Sequence, residues 1–178
     1  MNKERLPSVT TGQYVAAIAH HVSSVCVITT ELDGRRYGLT ATAVASVSAQ
    51  PPRLLVCINR KGMTHDRILE SGHFCVNVLG EHQEHVAKVF AGMGGEIPDR
   101  FQEGRWTRLK TGSPVLEEAA AAIDCQVGEV SDQYSHSVIF GDVVAVTHVE
   151  GQDTLLYGVR RFRQLAKFAV GLGREPKD

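Results

Sequence analysis

Apolar residues occur in this chain as short runs, and nearly every run stops at a glycine, a proline or a polar turn. Runs that short, rich in valine, isoleucine and threonine, form strands rather than helices. "VCVITT" (25–30) and "RYGLTATA" (36–43) are joined across Asp33-Gly34, a dipeptide that supplies the positive backbone angles of a tight hairpin turn. "RLLVCIN" (53–59) follows Pro51-Pro52, and "HFCVNVL" (73–79) follows Ser71-Gly72. "AAIDCQVGEV" (121–130) alternates Ile123, Cys125 and Val127 with Asp124, Gln126 and Gly128, which predicts a half-buried strand with the first set inward. "SVIFGDVVAVTHV" (137–149) and "TLLYGV" (154–159) complete the set. About eight strands with two or three helices between them predict a mainly β fold, a closed antiparallel barrel with peripheral α-helices, instead of alternating βαβ units.

The helices are few. Tyr14, Ile18 and Val22 recur every four residues after the possible caps Thr10 and Thr11, predicting an amphipathic opening helix. "THDRILE" (64–70) reads as a short helix ended by Gly72, and "EHQEHVAKVF" (81–90) as another. A glycine-rich loop from Gly92 to Gly104 follows. At 178 residues and 43% apolar content the chain is expected to be a single domain spanning 1–178. Its 19 basic and 20 acidic residues are well mixed, which argues against nucleic acid or an anionic membrane as partner.

Apolar stretches such as Leu54 to Ile58 fall far short of the ~20 residues that a membrane span needs. The opening "MNKERLPSVT" lacks the apolar core of a signal peptide, so a cytoplasmic location is expected. Cys26, Cys57, Cys75 and Cys125 sit in apolar stretches without zinc-type or CxxC spacing and read as buried free thiols.

Several chemistries are excluded by motif. No GxGxxG opens a helix after a strand, and GxxxxGK[ST] and GxSxG are absent. His82 and His85 are spaced to share a helical face, but HExxH and a third ligand are missing, so no metal site is expected. Residues 38–52, "GLTATAVASVSAQPP", carry almost no bulky side chain. Inner positions Thr40, Thr42, Ser46 and Ser48 leave space for either a flat ligand or tight sheet packing. Asn59-Arg60-Lys61-Gly62 then leads into a helix starting near Thr64 and His65, where free N–H groups and basic side chains favour phosphate. Together these features point to a planar, phosphorylated cofactor.

Four segments in order, "GLTATAVASVSAQPPRLLVCINR", "THDRILESGHFCVNVL", "PDRF" (98–101) and "YSHSVIFGDVVAV", resemble the small flavin reductase family. These are the NAD(P)H-dependent reductase components of two-component flavin monooxygenases, such as the 4-hydroxyphenylacetate 3-monooxygenase system. The resemblance runs from "HVSSVCVITT" to "LLYGVRRFRQL" and implies an FMN-binding split barrel. It implies that Thr40, Ala41, Thr42 and Ala43 lie against the isoalloxazine and ribityl chain of FMN or FAD, where bulky residues would occupy the cofactor's place. It further implies that Ser46, Ser48, Cys57, Ile58 and Asn59 line the ring. Lys61, Gly62 and Thr64 approach the phosphate, Arg100 stands near the phosphates, and Phe74 with Asn77 backs the site.

His136 matches a histidine beside the bound nicotinamide, and Tyr157, Arg161 and Phe162 match a "YxxxRY"-like segment near the same pocket. Ser24 departs from the usual glycine in the family's "ATGVTVVTT", and Val159 and Phe162 depart from the arginine and tyrosine around "RGRY". The second departure bears on whether Arg160 or Arg161 selects NADPH over NADH.

The implied reaction needs little acid–base help, because flavin carries the chemistry and the protein positions the nicotinamide against it. NADH or NADPH would reduce the flavin, with His136 as the catalytic residue. Reduced flavin would leave by diffusion to a separate flavin-dependent monooxygenase, and a homodimer is expected by resemblance. Related barrels that reduce ferric chelates or cobalt corrinoids, or that bind flavin or haem without catalysis, are the alternatives.

Overall fold

The computed structural model describes residues 6–93, 95 and 99–166. Thr10 caps α1 (Thr11–Ile18): its hydroxyl accepts from the Gln13 amide at 3.3 Å, and the Gln13 side chain accepts from the Thr10 amide at 3.0 Å. The helix ends before Val22 and buries no residue, so Tyr14 and Ile18 remain exposed. β1 (Ser23–Ser24) leads into β2 (Cys26–Leu32), which returns as β3 (Arg35–Ala41). The turn falls at Asp33 and Gly34, with φ of 51° and 74°, as the dipeptide predicts.

β4 (Val44–Ala49) and β5 (Pro52–Asn59) form the next hairpin. α2 (Met63–Ser71) buries Thr64, His65 and Ile68 and ends at Gly72, whose φ of 72° is the left-handed conformation glycine adopts freely. β6 (His73–Val78) precedes α3 (Glu84–Phe90). α3 starts later than expected because Gln83 turns back, its side-chain oxygen accepting from the Gly80 amide at 2.8 Å. His82 therefore precedes the helix, and the two imidazoles do not share a face: His82 meets Glu81 at 3.2 Å and His85 meets Glu103 at 3.9 Å.

A 3-10 turn (Arg100–Gln102) leads to the small pair β7 (Trp106–Arg108) and β8 (Pro114–Leu116). The long hairpin β9 (Ala121–Gln133) and β10 (His136–His148) follows, then β11 (Leu156–Gly158) and β12 (Arg161–Arg163), which join β1 in a three-stranded sheet.

The main sheet has seven antiparallel strands in the order β3-β2-β6-β9-β10-β5-β4. Its two edges, β3 and β4, are successive pieces of one chain segment. No ladder joins them; the connection is covalent, through Thr42 and Ala43. The fold is mainly β with three α-helices, but its sheets do not close into the expected barrel. The physical reason is a change of partner: β3 pairs with β2, whereas Ala43 already accepts from the Cys57 amide of β5 at 2.9 Å.

β2 is buried on both faces, so its alternating residues feed two cores. Ile28 joins Val56, Ile58, Ile68, Phe74, Val76 and Ile139 in one. Val27 joins Leu79, Phe90, Phe101, Leu116 and Leu155 in the other. Gly38 is required by the second: a Cβ there would sit 2.7 Å from the Phe90 ring. Asp124, expected outward on β9, is wholly buried, because the segment before β8 covers that face and supplies partners. Thr111 donates to its carboxylate from the amide at 2.8 Å and from the hydroxyl at 2.5 Å. Cys26, Cys75 and Cys125 are buried free thiols as expected, but Cys57 is only half-buried. Burial pushes the Cys26 and Cys125 thiols up to about 12 and Cys75 well above its ordinary range.

Candidate active site

Where the ladder of β3 stops, a cleft of about 400 Å³ opens along the seam of the main sheet. Thr40, Ala41, Thr42 and Ala43 form one wall; Cys57, Ile58 and Asn59, at the end of β5, form another. His136 reaches the same cleft because β10 begins opposite Asn59 in register. Its Nδ1 lies 2.9 Å from the Ser135 hydroxyl. The Thr40 hydroxyl is already engaged, donating to the Ala87 carbonyl of α3 at 2.7 Å. The walls are therefore small and nearly uncharged.

A second cleft of about 530 Å³ shares Leu39 with the first and has the opposite character. Arg35 and Arg36 line it from β3, Gly62 and Thr64 from the start of α2, and Arg100 from the 3-10 turn. Arg36 is held in place by Asp99 at 3.3 Å and by the Phe101 ring, 4.7 Å from its guanidinium carbon. Arg100 donates to the Phe90 carbonyl at 3.3 Å. Phe101 in turn packs edge-on against Phe90 and Trp106, with ring centres 5.1 and 4.9 Å apart, which anchors this turn to the core. No side chain caps α2; the His65 amide donates to the Gly62 carbonyl at 3.0 Å, and the Met63 and Thr64 amides remain donors beside three guanidinium groups. A flat group ending in phosphate fits these two clefts: the small walls admit a ring, and the donors suit a phosphate.

Arg35 and Arg36 are site candidates that sequence reasoning missed, because next to a hairpin turn they read as solvated charges. Lys61 lines neither cleft; it is exposed, and its amide donates to the Asn59 side chain at 2.9 Å.

A third cleft, about 560 Å³, lies under α1 and meets the first at Thr42, Ala43 and Cys57. Tyr14, Ile18, His21, Tyr157 and Arg160 face it. Phe162 packs edge-on against Tyr157, ring centres 5.2 Å apart, with the Lys88 ammonium 5.8 Å above it. Arg161 is exposed opposite Gly158 and lines none of the three clefts. The turn between these strands explains the exchange: Val159 and Arg160 both take positive φ, 51° and 58°, and Arg160 swings toward the cleft. The Val159 amide donates to the Ala19 carbonyl at 2.6 Å, tying the turn to α1.

Besides Lys61 and Arg161, four more expected residues lie outside these clefts. Ser46 and Ser48 line none of the clefts, and β4 carries a register shift between them that breaks the assumed alternation. Ser48 instead accepts from the Gln50 amide at 3.1 Å. Phe74 is wholly buried in the core, where it packs against Gly141. Asn77, also wholly buried, donates to the Val27 carbonyl at 3.1 Å and accepts from the Leu116 amide at 2.7 Å. Its polar atoms are consumed in joining β6, β2 and β8. Pro98 of the "PDRF" segment lies outside the described residues. Among the described residues no cluster of metal-ligating side chains occurs, and no helix is long and apolar enough to cross a membrane.

Comparison with known proteins agrees with this geometry. The FMN reductase (NADH) RutF of Pseudomonas syringae pv. syringae is 42% identical over 149 residues, covering 84% of this chain and 83% of that protein. The solved flavin reductase PheA2 superposes with a TM-score of 0.83 at 33% identity, covering 89% of this chain and all (100%) of the other. The NADH:FAD oxidoreductase SgcE6 of Streptomyces globisporus, solved with NAD and FAD fragments, gives 0.82 at 27% identity and covers 89% of this chain and 94% of its own. The flavin reductase like domain model matches residues 18–166, and the chain belongs to that family.

Proposed function

We propose that this protein is an NAD(P)H-dependent flavin reductase, a single domain that supplies reduced FMN or FAD by diffusion to a separate flavin-dependent monooxygenase. The observation that carries this reading is the junction of the two clefts at Leu39, a narrow uncharged seam running into a basic end, with His136 at its rim. Bound flavin supplies the two-electron chemistry, taking a hydride from the dinucleotide. The chain's own part is placement. Thr40 to Ala43 and Cys57 to Asn59 hold the ring, while Gly62, Thr64 and Arg100, joined by Arg35 and Arg36, hold the phosphate. Lys61, exposed next to Gly62, adds positive charge near that end. His136, oriented by Ser135, steers the nicotinamide, and Tyr157 and Phe162 border its approach with Arg160 or Arg161. The relative named FMN reductase (NADH) supports FMN and NADH as the preferred pair.

The same reading includes three finer points. The sheet rolls into a split barrel whose split is the seam. Exposed Tyr14, Val15, Ile18 and Val22 support a homodimer packed through α1. Free thiols throughout fit a reducing cytoplasm.

The test is oxidation of NADH and of NADPH by purified protein with FMN, FAD or riboflavin added. Turnover that depends on free flavin supports the reductase. Flavin binding without dinucleotide oxidation favours a passive flavin-binding module or a reductase of ferric chelates or corrinoids. In the same assay His136→Ala raises the dinucleotide KM about tenfold and leaves flavin affinity nearly unchanged; an unaltered rate removes His136 from its role.

A further inference from the structure

Behind the two clefts runs a polar chain, buried at its centre and ending in the exposed carboxylates of Asp66 and Asp132, that packing alone does not call for. His65, in the first turn of α2, places Nε2 2.8 Å from the Ser137 hydroxyl of β10. Ser137 donates to Asp132 near the end of β9 at 2.7 Å. The other ring nitrogen of His65 lies 2.8 Å from the Asp66 carboxylate. Ser137 is wholly buried and His65 only 5% exposed, so both forgo hydration and rely on each other. An apolar pair would fill this space without that cost; a polar link adds direction and fixed distance.

The position of the link matters. His65 follows Thr64, which lines the basic cleft, and Ser137 follows His136, which lines the ring cleft. The hairpin turn is braced on its outer side by Arg60, whose amide donates to the Ser135 carbonyl at 3.0 Å and whose guanidinium meets Asp132 at 3.2 Å. His65 and Ser137 provide the inner brace. Neither touches either cleft.

We infer that the His65–Ser137 link is a positioning device that holds the rim residue His136 in register with the phosphate-binding start of α2, so that flavin and dinucleotide share one frame. His65 is a positioning residue, and the inference rests on the flavin reductase reading. Rigid support of this kind decides whether a site holds its reactants within reacting distance.

The experiment compares wild type with Ser137→Ala, His65→Leu and His65→Gln, measuring dinucleotide KM and kcat, FMN affinity by fluorescence titration, and melting temperature. Ser137→Ala and His65→Leu are expected to raise the dinucleotide KM about tenfold. His65→Gln, whose amide still reaches Ser137, recovers most of the loss. In the Ser137→Ala background His136→Ala costs much less than in wild type, since the imidazole is already misplaced. Wild-type KM and kcat in Ser137→Ala, with only a lower melting temperature, reduce the link to structure and overturn the inference. If His65→Leu fails to fold, Ser137→Ala and His65→Gln decide alone. If wild type itself oxidises no dinucleotide, the reductase reading falls separately. The inference then stands on weakened FMN binding in Ser137→Ala and is overturned by unchanged binding.

Discussion

The ring cleft and the basic cleft share Leu39 yet are made in opposite ways. The first is made by omission. Alanines and threonines at the point where the chain changes sheet partners leave space that any larger residue would fill. The second is made by assembly: β3, α2 and the 3-10 turn, distant in sequence, bring guanidinium groups and uncapped amides to one place. A cleft of the first kind fails when something is added, and one of the second kind when something is removed.

That contrast can be pressed with substitutions. Ala43→Phe fills the seam at an exposed position, so flavin affinity should fall on the order of 100-fold for FMN and riboflavin alike, with the melting temperature held. Fluorescence titration of both flavins reads this, and full riboflavin binding in the variant breaks the contrast. Arg100→Ala should act on FMN alone. Losing a charge-assisted hydrogen bond of about 1.5–3 kcal/mol weakens FMN at least tenfold, less at high salt, and leaves riboflavin untouched. Equal loss of both flavins would show that the basic cleft also shapes the seam.

The smallest effect is chemical. Cys57 faces the seam, whereas burial pushes the Cys26 and Cys125 thiols up to about 12 and Cys75 well above its ordinary range. An alkylating reagent at about pH 8 should therefore modify one thiol in the folded protein and four in denaturant. FMN should protect that thiol and inorganic phosphate should not. Protection by phosphate would place Cys57 within reach of the basic cleft.

Local chemistry was legible in the sequence. Asp33-Gly34 encodes its hairpin, Thr10 or Thr11 the cap of α1, Gly72 the end of α2, and the run of small residues its cleft. What depends on distant pairing was not. Arg36 becomes a site candidate only because Asp99 and Phe101 fold against it. Asn77 offers the same polar atoms to a ligand or to a neighbouring strand, and nothing within "HFCVNVL" says that β2 and β8 will take them. Nothing in the run of small residues marks the bulge after Ser46, where a single extra residue exchanges the faces of the strand beyond it. The open seam was equally invisible, because sequence counts strands but does not say which edges meet.

That seam bears on how such a protein can diversify. An insertion inside any strand reverses the facing of every residue after it and ruins a core. Thr42 and Ala43 belong to no ladder, and one backbone bond, from the Cys57 amide to the Ala43 carbonyl, ties them to β5, so lengthening or shortening the chain there changes chiefly how far apart the two edges stand. Ligand girth can thus drift by inheritance at two positions while the remaining register stays frozen, which lets one scaffold explore many guests without first learning to fold again.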